Sequence, residues 1–353
     1  MITENALQKI ENNFHKKVQS DKNIKSAFLL VHSEKLGIDL NLAAGSANPN
    51  PVQPHYMASV GKIFTATVVG ILHDQGKLSF DEPVTSYLDA ELMKSLHIYQ
   101  GRDYSDDIRI SHLLNQTSGL DDVFFLLYKR MLKEPFKITA REAVIWGKEN
   151  LNPKAKPGEK HVYTDTNYYL LGLIVESVTG KLYHEALHKM IFEPLGMQHA
   201  WMQGFSEPAV KSVFPKADFF INGMNASNIE GIYEIDYAGG GVVATSGEYL
   251  KFMKALVNHR LVKPETLRRM LTDDKRSLPN FRYGYSIWKT ITIPILLPEK
   301  YYCWGCVGLT GAYLFYHPNT ESFLVVNFND SSYRSKAFVF LLRKVIRELL
   351  KYS

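Results

Sequence analysis

The sequence predicts a mixed α/β fold of the α+β kind: an antiparallel sheet flanked by N- and C-terminal helices, with a mainly helical lobe inserted between the strands. Three observations predict it. Runs rich in β-branched and aromatic residues lie towards both ends of the chain, helical periodicity fills the middle, and amphipathic patterns stand at the two extremes. With 353 residues the chain can bury one large core. We therefore expect a single domain over 1–353, with 1–80 and 205–353 forming a sheet lobe and 81–204 a helical lobe.

The elements follow in order. MITENALQKIENNFHKKVQSDKN mixes charges with apolar residues at helical spacing. KSAFLLVHS and IDLNLAAG read as two strands joined by a short turn at 34–37. Residues 59–75 form a strongly apolar helix that Gly76 stops. From 81 to 204 the pattern is helical, broken by loops at 116–122 and 152–160, and a helix at 167–179 ends at Gly180. RYGYSIWK, AYLFYHP and SFLVVNFND return to strand patterns, and an amphipathic helix at 335–351 closes the chain.

Composition excludes several functions. The chain is 45% hydrophobic, 12% aromatic and 22% charged, which is ordinary for a globular domain. A formal charge of +5 without a long basic run argues against nucleic-acid binding. No run of eighteen apolar residues predicts a membrane span, and the N-terminus lacks the apolar core of a signal peptide, so a cytoplasmic location is expected. Oligomeric state is left open.

Two cysteines, Cys303 and Cys306, form CWGC, a spacing compatible with redox chemistry on a helix. The flanking KYYCWGCVG is strand-like, which turns residues three apart to opposite faces. Twelve histidines are scattered without metal-ligand spacing, so no metal or cofactor is expected. His161 stands two residues before Tyr163 and could face a cleft, while His55, His112 and His317 read as packing residues. The GGG at 239–241 lacks the lysine and spacing of a phosphate loop.

The informative stretch is MASVGKIF, residues 57–64. Ser59 and Lys62 fall one helical turn apart, so hydroxyl and amine can touch inside an apolar run where a lysine is costly. Four further segments accompany it: LLNQTSGLDD at 113–122, KHVYTDTNYYLLGLIVESVTG at 160–180, YAGGGVVATSGEYLKFMKAL at 237–256 and WGCVGLTGAYLFYHP at 304–318. Together, and in this order, they resemble the serine β-lactamase-like family, which includes class C β-lactamases, D-alanyl-D-alanine carboxypeptidases and related esterases. The resemblance runs from about residue 25 to near the end of the chain.

It implies a β-lactamase/transpeptidase-like fold and an acyl-enzyme on Ser59, with Lys62 one turn behind and Tyr163 in the place of the Y-x-N tyrosine. A nearby ammonium is expected to lower the Tyr163 pKa and help it act as base. The oxyanion donors are the backbone NH groups of Ser59 and Leu309. Asp165 departs from the pattern, standing where asparagine is usual. It either pairs with Lys62 or caps the following helix, and Asn167 is the residue that could replace part of the missing amide. In the third motif Cys306, Val307 and Gly308 replace lysine or histidine, threonine and glycine, which makes Cys306 and Gly308 the substrate-binding candidates there.

Losing one charge-assisted and one neutral hydrogen bond weakens carboxylate recognition by roughly two or three powers of ten. This points to a small-molecule acyl substrate that is a neutral ester or uncharged amide. A β-lactamase or D-aminoacyl peptidase with altered carboxylate recognition is one alternative, and a non-catalytic binding protein on the same fold is another. VFFLLYKRMLKEPF at 123–136 and TITIPILLPEKYY at 290–302 are the two apolar stretches that either shape an acyl pocket or pack the core.

Overall fold

A computed structural model describes residues 4–295 and 297–352. Helix α1 (Glu4–Gln19) turns Ile10 and Phe14 fully inward and carries Lys16 and Lys17 in its last turn. Strand β1 (Ala27–Ser33) is buried along nearly its whole length, as a central strand covered on both faces must be. It joins β2 (Ile38–Ala44) through a tight turn that Gly37 closes at φ +68°.

The remaining strands of the sheet come from the last third of the chain: β3 (Lys275–Leu278), β4 (Phe281–Tyr283), β5 (Trp288–Thr290), β6 (Trp304–Gly308), β7 (Ala312–His317) and β8 (Ser322–Asn327). Their order is β3-β4-β5-β6-β7-β8-β1-β2, and every neighbouring pair is antiparallel. The two ends of the chain meet where Leu30 lies opposite Val325. RYGYSIWK is not one strand: Gly284 N donates to Ile287 O at 2.8 Å and Ser286 takes φ +58°, so the run folds into a hairpin between β4 and β5.

Between the sheet segments lie α2 (Gly61–Asp74), α3 (Phe124–Met131), α4 (Ala140–Asn150) and α5 (Thr166–Thr179), followed by α6 (Ser246–Val257). Helix α2 is apolar almost all round and packs against α5, which suits a central helix. It begins two residues later than the sequence pattern suggests, because residues Ala58–Val60 form a separate 3-10 turn. Gly76, at φ +68°, follows its last turn. Residues 205–240 contribute no strand to the large sheet and run mostly as loops beside it.

The C-terminal helix starts as α7 (Arg334–Phe340), passes through a π-helical stretch at Leu341–Ile346 and ends with Arg347–Leu349. It packs beside α1, with the Phe14 and Phe340 rings 6.4 Å apart, while α6 lies against β1, β7 and β8. Among the described residues no helix is long and apolar enough to cross a membrane.

One contact ties the sheet to the Ser59 turn. A Cβ on Gly308, at the end of β6, would lie 2.0 Å from the Met57 carbonyl oxygen, so only glycine lets the strand approach that closely. Gly308→Ala should therefore lower stability by about 1–3 kcal/mol through overpacking. Urea unfolding of the variant beside the parent protein checks this.

Candidate active site

Ser59 lies in the 3-10 turn that leads into α2, following Ala58, whose φ of +50° is uncommon for a residue with a side chain. Lys62 occupies the first turn of α2 and is 0% exposed. Its Nζ donates to Ser59 Oγ at 3.2 Å and to Gly239 O at 2.6 Å, and it forms an ion pair with Asp165. These are three acceptors for the three hydrogens of an ammonium group. The Tyr163 and Tyr168 rings lie 5.3 Å and 4.9 Å from the same nitrogen.

Burial works against charge on Lys62, but Asp165 first, then Tyr163 and Asp236, outweigh it and hold the pKa well above that of a free lysine. Lys62 is therefore a fixed ammonium. The close packing around it explains the glycine run. A Cβ on Gly239 would stand 2.6 Å from Asp165 Oδ1, and one on Gly240 would stand 2.0 Å from Asp236 Oδ2.

Tyr163 is half-buried beside the nucleophile turn, with its ring 6.0 Å from Tyr283 and 6.1 Å from Trp288. Its pKa is pushed up to about 12: burial raises it, Lys62 lowers it, and Asp165 raises it again. The expected net lowering is thus reversed, because desolvation exceeds the pull of an ammonium that is already paired.

Asp165 holds the N-cap position of α5 without making a side-chain capping bond, and its carboxylate turns to Lys62 instead. Its backbone NH donates to Asp122 Oδ1 at 2.9 Å. Asp122 is raised to about 7, chiefly by burial and then by the charge of Asp165. Asp236, also buried, is raised to about 6 although it accepts from Tyr56 OH and, at 2.6 Å, from Gly241 N. Neither Asp122 nor Asp236 was singled out from sequence. Both were visible only by position, at the end of LLNQTSGLDD and one residue before YAGGG.

The structure places three of the expected substrate-binding residues outside the lining of the cavity beside Ser59. Asn167 is fully buried, accepting from Ser118 Oγ at 2.6 Å and donating to Gln116 Oε1 at 2.6 Å, so its amide braces the 116–118 loop. Cys306 is also fully buried, its Sγ 3.2 Å from the Ser59 carbonyl oxygen, and burial pushes its thiol up to about 12. Gly308 serves the close approach to Met57. The reason is strand alternation: Val307 and Leu309 line the cavity, which leaves Cys306 and Gly308 on the opposite side. Cys303 and Cys306 are both free thiols.

The cavity beside Ser59 measures about 330 Å³. Ser59, Tyr163, Asp165 and Asp236 lie on its polar side, and Phe124, Phe125, Trp288 and Val307 on its apolar side. The 123–136 stretch thus reaches the cavity through α3. The 290–302 stretch does not, because Ile293 pairs with Leu297 in a small hairpin and Ile291 N donates to Asn280 O at 2.8 Å. Phe219, Ile221 and Ile232, from the loops after residue 205, supply apolar lining that no periodic pattern announced.

His161 lines the cavity with its ring against Tyr283, and burial lowers its pKa to about 4, so it is neutral. His55 stacks on Phe28 and meets Ser246, and His317 is held by Thr320 and the Lys300 carbonyl. Among the described residues no cluster of His, Cys, Asp or Glu could hold a metal ion. Removing one partner of a buried ion pair costs about 3–5 kcal/mol, so Asp165→Ala should destabilise the protein by that order while Asp165→Asn costs less. Chemical denaturation of both variants measures the difference.

Comparison with known proteins bears on the family and the fold. A sequence model of the beta-lactamase family matches residues 26–344. A teichoic acid D-alanine hydrolase of Staphylococcus aureus strain MRSA252 is 24% identical over 238 residues, which is 67% of this chain and 54% of that protein. The chain spans about half the length of the curated relatives it matches. The D-amino acid amidase from Ochrobactrum anthropi SV3 shares the fold at a TM-score of 0.77 and 21% identity, covering 98% of each chain. A penicillin binding protein from Bacillus halodurans does so at 0.70 and 23%, covering 92% of this chain and 97% of that one. A family match that takes in every segment from the Ser59 turn to α7, on a fold shared end to end, leads to one conclusion: the chain belongs to the beta-lactamase family.

Proposed function

We propose that the protein is a serine hydrolase that forms an acyl-enzyme on Ser59 from a neutral ester or uncharged amide. The observation that carries the reading is the buried Lys62 ammonium, bonded at once to Ser59 Oγ and to Asp165, behind a cavity that Ser59, Asp165 and Tyr163 line. Ser59 Oγ attacks the carbonyl and passes its proton to Tyr163. Lys62 cannot accept that proton, since all three of its hydrogens are committed and its charge is held. Tyr163 takes it up as the phenolate, the form that the Lys62 charge favours against burial and Asp165.

The backbone NH groups of Ser59 and Leu309 receive the oxyanion. Tyr163 then protonates the leaving group and activates the water that releases the acid. What surrounds the nucleophile supports a neutral substrate: Val307 stands where a hydroxyl would hold a carboxylate, and Asp165 and Asp236 repel an anion.

A second reading, hydrolysis of D-aminoacyl amides or esters, is favoured by Asp236, a cavity-lining carboxylate placed to attract a substrate ammonium. It accords with the activities for which the D-amino acid amidase and the teichoic acid D-alanine hydrolase are named.

Purified protein should hydrolyse p-nitrophenyl butyrate, and Ser59→Ala should abolish the activity. Equal rates in both would overturn the reading, and a strong preference for D-alanine p-nitroanilide would favour the second one. Tyr163→Phe should slow acylation by about two to four powers of ten in stopped-flow traces. With Tyr163 raised to about 12, the competent deprotonated form keeps increasing with pH, so kcat/KM should climb through the alkaline range without levelling near neutrality. An apolar wall should raise kcat/KM from acetate to longer acyl esters, each buried methylene adding about 0.8 kcal/mol until the cavity is full.

A further inference from the structure

The mouth of the cavity carries exposed apolar side chains. Phe125 and Leu278 both line the cavity, yet remain 48% and 43% exposed, so they stand at its rim. Leu278 lies at the tip of the β3–β4 hairpin, and Asn280 of that tip is hydrogen-bonded to Ile291, which leads to Ile295, 96% exposed.

The same hairpin rests on the C-terminal helix. The Phe281 ring packs 4.9 Å from Phe338, and the next residue, Val339, is 46% exposed on the floor of a groove of about 590 Å³ between α1 and the C-terminal helix. Lys16, Lys17, Lys336, Arg343 and Lys344 line that groove. Among the described residues none of these five joins an ion pair, since the neighbouring acid Glu348 is taken by Lys9 and Lys351. Asp21 is the acid that faces them: its carboxyl, held below the usual range first by the Tyr333 hydroxyl and then by a backbone NH, is also stabilised by Lys336 and Lys17. The groove and the catalytic cavity adjoin, because Arg334 lines the cavity while Ser335 and Lys336 line the groove.

Through the helix turn at 334–336, this face sets an apolar rim around the cavity beside a row of cations that join no ion pair among the described residues. Exposed apolar groups beside clustered lysine and arginine match the acyl-headgroup boundary of a membrane that carries anionic lipid. We propose that this face docks on an anionic lipid surface, so that an acyl substrate enters the cavity from that surface. The docking stands on the surface alone; the acyl substrate rests on the serine-hydrolase reading.

Co-sedimentation of the whole protein with vesicles tests it, using phosphatidylcholine alone and phosphatidylcholine with about a third phosphatidylglycerol. Binding is expected only to the anionic vesicles and should weaken as sodium chloride is raised. A basic residue near such a surface contributes about fivefold, so the triple variant Lys16→Glu, Lys336→Glu, Lys344→Glu should lose at least about a hundredfold in partitioning. Val339→Ser with Ile295→Ser should weaken it as well, and both variants should keep the p-nitrophenyl butyrate rate of the parent. Absence of vesicle binding, equal binding to both vesicle types, or unchanged binding by the triple variant would overturn the docking while leaving the hydrolase reading intact. Loss of Ser59-dependent ester hydrolysis with vesicle binding retained would overturn the hydrolase reading instead.

Discussion

The Lys62 ammonium, shut away from solvent in the first turn of α2, constrains most of what surrounds it. A charge in that position persists only if every hydrogen finds an acceptor and an opposite charge stands close. The acceptors come from three separate parts of the chain: the turn holding Ser59, the start of α5 through Asp165, and the loop carbonyl of Gly239. One nitrogen thus pins two helices and a loop together. The bare backbone at Gly239 and Gly240 is a consequence, since a side chain at either would displace the carboxylates that make the ammonium tenable.

The electrostatics of the cavity follow from that arrangement. Burial outweighs the pull of Lys62 on the Tyr163 phenolate and Asp165 adds to burial, so Tyr163 rests as a phenol and only its deprotonated fraction can take a proton from Ser59. Burial first, and then the charge of Asp165, raises Asp122 to about 7 and Asp236 to about 6. Such a cavity is hostile to anions close to the nucleophile, whereas its outer rim is apolar and adjoins a cationic groove.

Much of the fold was legible in the sequence. The β1–β2 hairpin, β6 to β8, α2 and the closing helix all follow from local periodicity and turn residues, because each has one face or both buried in a regular pattern. The hairpin between β4 and β5 was missed, since Ser286 adopts a left-handed conformation that its type does not advertise. Within the site, the contact between Ser59 and Lys62 could be expected from spacing alone.

What lay beyond the sequence was direction and distance. Nothing local says that Asn167 turns to Gln116 and Ser118, that Cys306 sits beneath Ser59, or that loops after residue 205 wall the cavity. The sequence by itself determined which elements form and which residues could react, because those depend on backbone preference, hydrophobic period and separations of a few residues. Only the tertiary structure decided the charge balance around Lys62, the height of the Tyr163 pKa and the lining of the cavity. These depend on groups as far apart in the chain as Lys62, Asp165 and Asp236, and desolvation and Coulomb energy act on distances that exist only once the chain has folded.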